Sequence, residues 1–274
     1  VNPGTLRICA TPIGNLADCT PRVLEALRGA AVVACEDTRR TGTLLAAFQI
    51  AAPMARVDEH REEAETPRLI ERLRAGGDVC LVSDAGLPAV SDPGRRLVAA
   101  AIEAGIPVEV LPGASAVTTA LVASGLAADR FAFVGFLPRT GGGLAALLDQ
   151  VDGWHMPVVA FEAPGRLPRT LAAIASRDPG RPVAVCRELT KLHEETTRGT
   201  AAEVAARYVT PPRGEVTLVL GVVDAPVATA DAAAVDASLG ELRAAGMGAR
   251  QASELVARLT GLPRRDLYER FRSG

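Results

Sequence analysis

Eight short apolar runs, set out as two series of four with helix-length segments between them, constrain this chain more than any other feature. The first series is Leu6 to Ala10, Ala31 to Cys35, Asp78 to Val82 and Val108 to Leu111. The second is Phe131 to Val134, Val158 to Phe161, Val183 to Arg187 and Val216 to Leu220. Strand-length and helix-length stretches in alternation predict α/β units and argue against a β-sandwich. The turn Leu111-Pro112-Gly113 separates the series. The reading is therefore two α/β domains, residues 1–113 and 114–225, followed by a linker and helical module over 226–274. A length of 274 residues accommodates two modest domains and an appendage.

Local signals refine this outline. Thr20-Pro21, Thr66-Pro67 and Asp92-Pro93 each place a capping side chain before a proline suited to a first helical turn, so each predicts a helix start. Gly141-Gly142-Gly143 reads as a flexible loop, and the Ala-rich stretch 227–237 as a connection to the tail. From Ala249 to Leu259, apolar Ala252, Leu255, Val256 and Leu259 recur at helical spacing, with Arg250, Glu254 and Arg258 left for solvent. Gly261 can end that helix and Pro263 begin another, on which Leu267 and Phe271 lie one turn apart. The tail thus predicts a helix-turn-helix.

Charges or prolines interrupt every apolar stretch long enough to cross a bilayer, and the first residues lack the pattern of a signal peptide, so the expectation is a cytoplasmic protein with no membrane contact. Cys9, Cys19, Cys35, Cys80 and Cys186 are scattered and form no C-x-x-C pair; buried, reduced thiols are expected. His60, His155 and His193 are equally dispersed, which makes a metal-free mechanism the default. A net charge of −2 excludes a chain coated in basic surface, so any nucleic-acid contact must be local. Of 30 basic residues only Lys191 is a lysine.

Three loops follow first-series strands. Thr11-Pro12-Ile13-Gly14-Asn15-Leu16 reads either as an ordinary strand-to-helix turn or as a ligand loop in which backbone groups are approached closely; it is not a G-x-G-x-x-G phosphate loop. In Ser83-Asp84-Ala85-Gly86-Leu87-Pro88, Asp84 can bind a ligand amine or hydroxyl, or can form a turn. Leu111-Pro112-Gly113-Ala114-Ser115-Ala116 offers small residues that leave room for a flat adenosyl group, or a plain interdomain turn.

In order along nearly the whole chain, the segments TPIGNL, EDTR, SDAGLP, PGAS, GFLP, FEAPGR, RELTK and GEVTLVL resemble the tetrapyrrole-methylase family. EDTR at 36–39, RELTK at 187–191 and the helical tail resemble more narrowly the members that methylate a cytidine ribose 2′-hydroxyl in 16S rRNA of the small ribosomal subunit. The resemblance implies two α/β domains enclosing S-adenosyl-L-methionine (AdoMet) in their cleft, a fold distinct from Rossmann methyltransferases, and a homodimer. It places Pro12, Gly14, Asp84, Ala85, Gly86, Ser115, Ala116 and Phe136 near the cofactor, with Phe161 and Glu162 from the second domain. Leu87 stands where the family pattern has threonine, and Gly165 where it has histidine.

Methylating a ribose hydroxyl requires alignment for in-line displacement and help with loss of the proton. Lys191 is the leading catalytic candidate, as a cation beside the developing alkoxide, with Glu188 in the same segment to orient it or accept the proton. A solvated ion-pair segment is the competing reading. Asp37 is a further candidate base, beside Arg39 and Arg40 as phosphate contacts, unless this segment only opens a helix. Residues 240–274 hold seven arginines against four acids; Arg250, Arg264, Arg265, Arg270 and Arg272 are expected on RNA, with a packing or dimerisation module as the alternative. Two other functions compete: a tetrapyrrole C-methyltransferase, which the basic tail disfavours, and a nonenzymatic RNA-binding ribosome factor, which would not bind AdoMet.

Overall fold

The computed structural model describes residues 2–222 and 232–273. The chain forms two compact units, Val1–Val222 and Val223–Gly274.

The first half of the larger unit runs β1 (Leu6–Cys9), α1 (Pro21–Gly29), β2 (Val32–Cys35), α2 (Thr38–Ala47), β3 (Met54–Arg56), α3 (Glu62–Arg74), β4 (Val79–Val82), α4 (Arg95–Glu103) and β5 (Val108–Leu111). Its strands make a parallel sheet in the order β3-β2-β4-β1-β5. A parallel sheet covered on both faces needs apolar residues throughout, and every residue of β2 and β4 is buried. One face packs around Leu6, Leu73, Leu81 and Leu97, the other around Cys9, Leu27, Val33 and Cys80. All five cysteines are free and buried, as their spacing implied. Because β4 returns between β2 and β1, the carboxyl ends of β1 and β4 are neighbours, the position at which open α/β sheets hold ligands. Their loops are tied by a pair of backbone bonds between Thr11 and Gly86, 2.8 and 3.1 Å.

The second half continues with α5 (Ala116–Ser124), β6 (Ala132–Phe136), α6 (Gly141–Asp152), β7 (Val158–Glu162), α7 (Leu167–Arg177), β8 (Pro182–Arg187), β9 (Glu195–Thr200), α8 (Ala201–Arg207) and β10 (Val216–Leu220). The sheet order is β6-β7-β10-β8-β9; β6 and β7 are parallel and the other pairs antiparallel. Val216 pairs with Arg187, so the residues just before β10 lie beside those just after β8.

Several local expectations are corrected. Thr20 caps α1 as predicted, its hydroxyl accepting from Val23 N at 3.3 Å. Thr66-Pro67 starts nothing: α3 begins at Glu62 and carries Pro67 inside it. Asp92 does not cap α4; the buried carboxylate of Glu62 does so from α3, accepting from the backbone N–H of Gly94 (3.0 Å), Arg96 (2.7 Å) and Leu97 (3.4 Å). A tertiary partner has displaced the local one. Gly141–Gly143 are no loop but the first turn of α6, capped by Thr140. In the Ala-rich stretch, 227–231 lie outside the described residues and the rest is helical, in α9 (Ala232–Ala244).

With α9, the smaller unit holds α10 (Ala249–Thr260) and α11 (Arg264–Ser273), joined through Gly261 in the left-handed conformation, φ 70°. The predicted helix pair is present. Its core is Val235, Leu239, Ala252, Val256, Leu267 and Phe271. Leu259 departs from the expected apolar stripe and faces solvent, 77% exposed. Among the described residues no helix is long and apolar enough to cross a membrane.

Candidate active site

Two cavities open beside the carboxyl ends of β1 and β4. The larger, about 700 Å³, is walled by the loops after β4 and β5, by Phe136 and Phe161, and by residues Gly214 to Thr217 at the start of β10. It brings together eight residues singled out in the sequence: Asp84, Ala85 and Gly86, Ser115 and Ala116, and Phe136, Phe161 and Glu162. The smaller, about 200 Å³, lies between the loop after β1 and α2, and takes Pro12 and Gly14 instead. Arg40 and Asp84 line both cavities and form an ion pair at 3.4 Å.

Among the described residues, Asp84 is the lining carboxylate left with a buried, unsatisfied oxygen. Its Oδ1 is buried and has no hydrogen-bond partner among the described residues. Burial raises its pKa, and the nearby Asp37 charge adds to this against Arg40. Burial likewise pushes Glu36 and Asp92 up, and both see the charge of Asp84. Three carboxylates thus line one cavity wall under mutual repulsion. Glu162 differs: it is satisfied by Thr170 Oγ1 (2.6 Å), Ala163 N (2.7 Å) and the Arg166 guanidinium (2.5 Å), so it braces the loop after β7. Phe161 holds both Phe133 and Phe136 edge-on, at 5.0 and 5.4 Å. Leu87 lines the large cavity and packs on the first-sheet core, while a side chain at Gly165 would meet open space.

Lys191 sits where the two halves meet. Its Nζ donates to Glu188 Oε1 at 2.8 Å and to Glu215 Oε2 at 3.0 Å. Glu188 Oε1 also accepts from Glu215 N, 2.9 Å. Glu188 and Thr190 hold positive φ, 52° and 66°, a conformation unusual for non-glycine residues that the surrounding bonds must sustain. Two glycines make the arrangement possible. A β-carbon at Gly14 would fall 2.4 Å from Lys191 Cγ, and one at Gly214 would fall 2.4 Å from Glu188 Cδ. Burial works against the charge of Lys191, yet its hydrogen bonds to Glu188 and Glu215 outweigh this and raise its pKa. The same bond to Lys191, with Glu215 N, lowers that of Glu188. Lys191 is therefore a fixed cation, suited to stabilising negative charge and unsuited to accepting a proton.

Asp37 lies elsewhere in its contacts: it caps α2 from Arg39 N (2.9 Å), and the Arg39 side chain closes on it at 2.7 Å and holds its pKa far below the carboxylate range. Arg39 is thereby tethered, whereas Arg40 reaches the cavities. In the smaller unit Arg265 pairs with Glu269 and Arg270 with Asp236, and Arg250, Arg264 and Arg272 are exposed. Sequence reading missed Glu215, Gly214 and Asp92 as site residues. Glu215 gains its role only through β10 pairing with β8, which no local pattern reveals.

Residues 5–205 match the family described as Tetrapyrrole (Corrin/Porphyrin) Methylases, and residues 229–271 match the RsmI C-terminal HTH domain. The Ribosomal RNA small subunit methyltransferase I of Micromonospora olivasterospora is 45% identical over 98% of this chain and 87% of its own length. That of a Synechocystis strain is 43% identical over 97% and 96%. A solved uroporphyrin-III C-methyltransferase from Thermus thermophilus, complexed with S-adenosyl homocysteine, shares the fold with a TM-score of 0.56 at 24% identity, over 80% of this chain and 97% of its own. By these likenesses the chain belongs to the tetrapyrrole methylases and, among them, to the ribosomal RNA small subunit methyltransferase I family.

Proposed function

We propose that this protein transfers a methyl group from AdoMet to the ribose 2′-hydroxyl of a cytidine in 16S rRNA of the small ribosomal subunit. The observation that carries the reading is the fixed Lys191 cation, held by two carboxylates across Gly14, beside cavities that share Asp84. The relatives named for ribosomal RNA favour it over a tetrapyrrole substrate, since the solved tetrapyrrole enzyme argues for the fold alone.

The large cavity fits the cofactor. Its volume is in the range of about 300–1,000 Å³ of small-molecule sites. Phe136 and Phe161 offer apolar walls for a flat ring, the unpartnered Asp84 Oδ1 offers an acceptor for an amine or hydroxyl, and Gly86 turns the loop at φ 80°. Ser115 and Ala116, at the start of α5, add little bulk to the wall. When bound, AdoMet supplies an electrophilic methyl carbon on a sulfonium. Lys191 lends positive charge to the oxygen that loses its proton, and Glu188 holds the ammonium in place. Glu188, kept ionised by Lys191, and Asp84, with a free oxygen, are the carboxylates able to accept that proton.

Arg250, Arg264 and Arg272 serve phosphate contacts for the ribosomal particle, a role their exposure supports. We also infer a cytoplasmic homodimer, as the resemblance to the tetrapyrrole methylases implies. The test is incubation of the protein with labelled AdoMet and small subunits from cells lacking it. Label in the 16S rRNA supports the reading, and unlabelled rRNA from protein that labels a tetrapyrrole offered in a parallel incubation overturns it.

A further inference from the structure

The small cavity between the loop after β1 and α2 is separate from the large one but shares Arg40 and Asp84 with it. We propose that it receives the target nucleoside, flipped out of the RNA, while AdoMet occupies the larger cavity. This rests on the RNA methylation reading above.

Three observations carry it. The first is position. The cavity is bounded on one side by Gly14, across which the Lys191 stem lies, and on another by Asp84, which it shares with the larger cavity. A hydroxyl placed there lies against Gly14, on which the Lys191 stem packs, and against Asp84, whose Oδ1 is unpartnered, with the larger cavity next to it. The second is size. At about 200 Å³ against about 700 Å³, it suits one nucleoside and is far too small for a macrocycle. The third is chemistry. Pro12, Leu16 and Leu44 give apolar contacts for a ring, and Arg40 presents donors beside Asp84. Leu16, 48% exposed, and the exposed α2 positions Thr43 and Ala47 leave the cavity open to solvent, as entry from an RNA surface requires. Enzymes that act on a base take it out of its stack into such a pocket; here enclosure of the nucleoside would fix its ribose hydroxyl in line with the methyl donor.

Filling the cavity from its exposed side tests this. Thr43→Trp and Ala47→Trp place bulk in it without touching the buried core, and Ala46→Trp adds the same bulk at an exposed neighbour outside it. In the full chain, the first two are expected to lower kcat/KM on small subunits by about 100-fold, the loss typical of a misplaced substrate. AdoMet affinity by calorimetry stays unchanged, and Ala46→Trp keeps normal activity. Wild-type rates in both filled variants overturn the assignment, as does loss of AdoMet binding in folded protein, which would give the cavity to the cofactor. Equal loss in all three variants also overturns it, since a general surface effect then suffices. Failure of the wild-type protein to label small subunits would instead sink the RNA methylation reading itself.

Discussion

Gly14→Ala is the most informative single substitution, because its consequence falls on two adjacent side chains, Thr190 and Lys191. A β-carbon there would stand 2.4 Å from Lys191 Cγ, 3.0 Å from Lys191 Cε and 2.9 Å from Thr190 Oγ1. Gly14 is outside the left-handed region, so alanine adds no backbone strain and the clash must be relieved by moving the side chains of Lys191 and Thr190. Moving Lys191 breaks at least one of its bonds to Glu188 and Glu215. Glu215 is 65% exposed, so the loss of stability is small, about 1 kcal/mol or less. The rate effect is larger: removing a preorganised group that stabilises transition-state charge costs about 10²–10³ in kcat, or about 2.7–4 kcal/mol. The assay is kcat on small subunits, with a urea titration alongside. If the alanine acts only through Lys191, adding it to Lys191→Ala changes nothing further, a non-additive cycle. Normal turnover in Gly14→Ala, or full additivity in the double variant, refutes the reasoning.

Other consequences are equally direct. Lys191→Ala loses methyl transfer far more than AdoMet affinity, measured by turnover and calorimetry; full turnover removes Lys191 from the mechanism. Glu62→Ala leaves the N–H groups of Gly94, Arg96 and Leu97 without their acceptor, and is expected to lower unfolding free energy by about 1–3 kcal/mol in urea titration. Asp84 has a pKa raised by burial, so its contribution to stability is present below the ordinary carboxylate range and lost as pH rises through the raised value. Asp84→Asn should therefore be more stable than wild type at neutral pH, with the gain shrinking as pH falls, while binding AdoMet more weakly. Ending the chain at Val222 is expected to keep AdoMet binding and weaken association with small subunits, read by cosedimentation.

Both sheets were largely legible because their central strands are buried on both faces and read as continuous apolar runs, as in Val79–Val82 and Val216–Leu220. The two strands that escaped are edges. Met54–Arg56 is three residues long and partly exposed, and Glu195–Thr200 carries no apolar side chain, with Thr197 alone buried. The cavity-lining loops were also readable, since ligand loops follow strand ends in this class of fold. What local pattern could not supply was tertiary substitution: Glu62 capping α4 from another helix, Glu215 meeting Lys191 through strand pairing, and Gly14 making room for a side chain from the other half of the unit. Asp37 shows the reverse case, in which a capping role visible in sequence is the one its hydrogen bonds fulfil.

The decisive chemistry takes place at one ribose oxygen. Small subunits from cells lacking this protein should be incubated with it and labelled AdoMet, and the 16S rRNA digested to nucleosides. Label is expected in 2′-O-methylcytidine alone, whereas label in a base-methylated nucleoside, or unlabelled RNA from protein that binds AdoMet, would rule out the ribose 2′-hydroxyl as the acceptor.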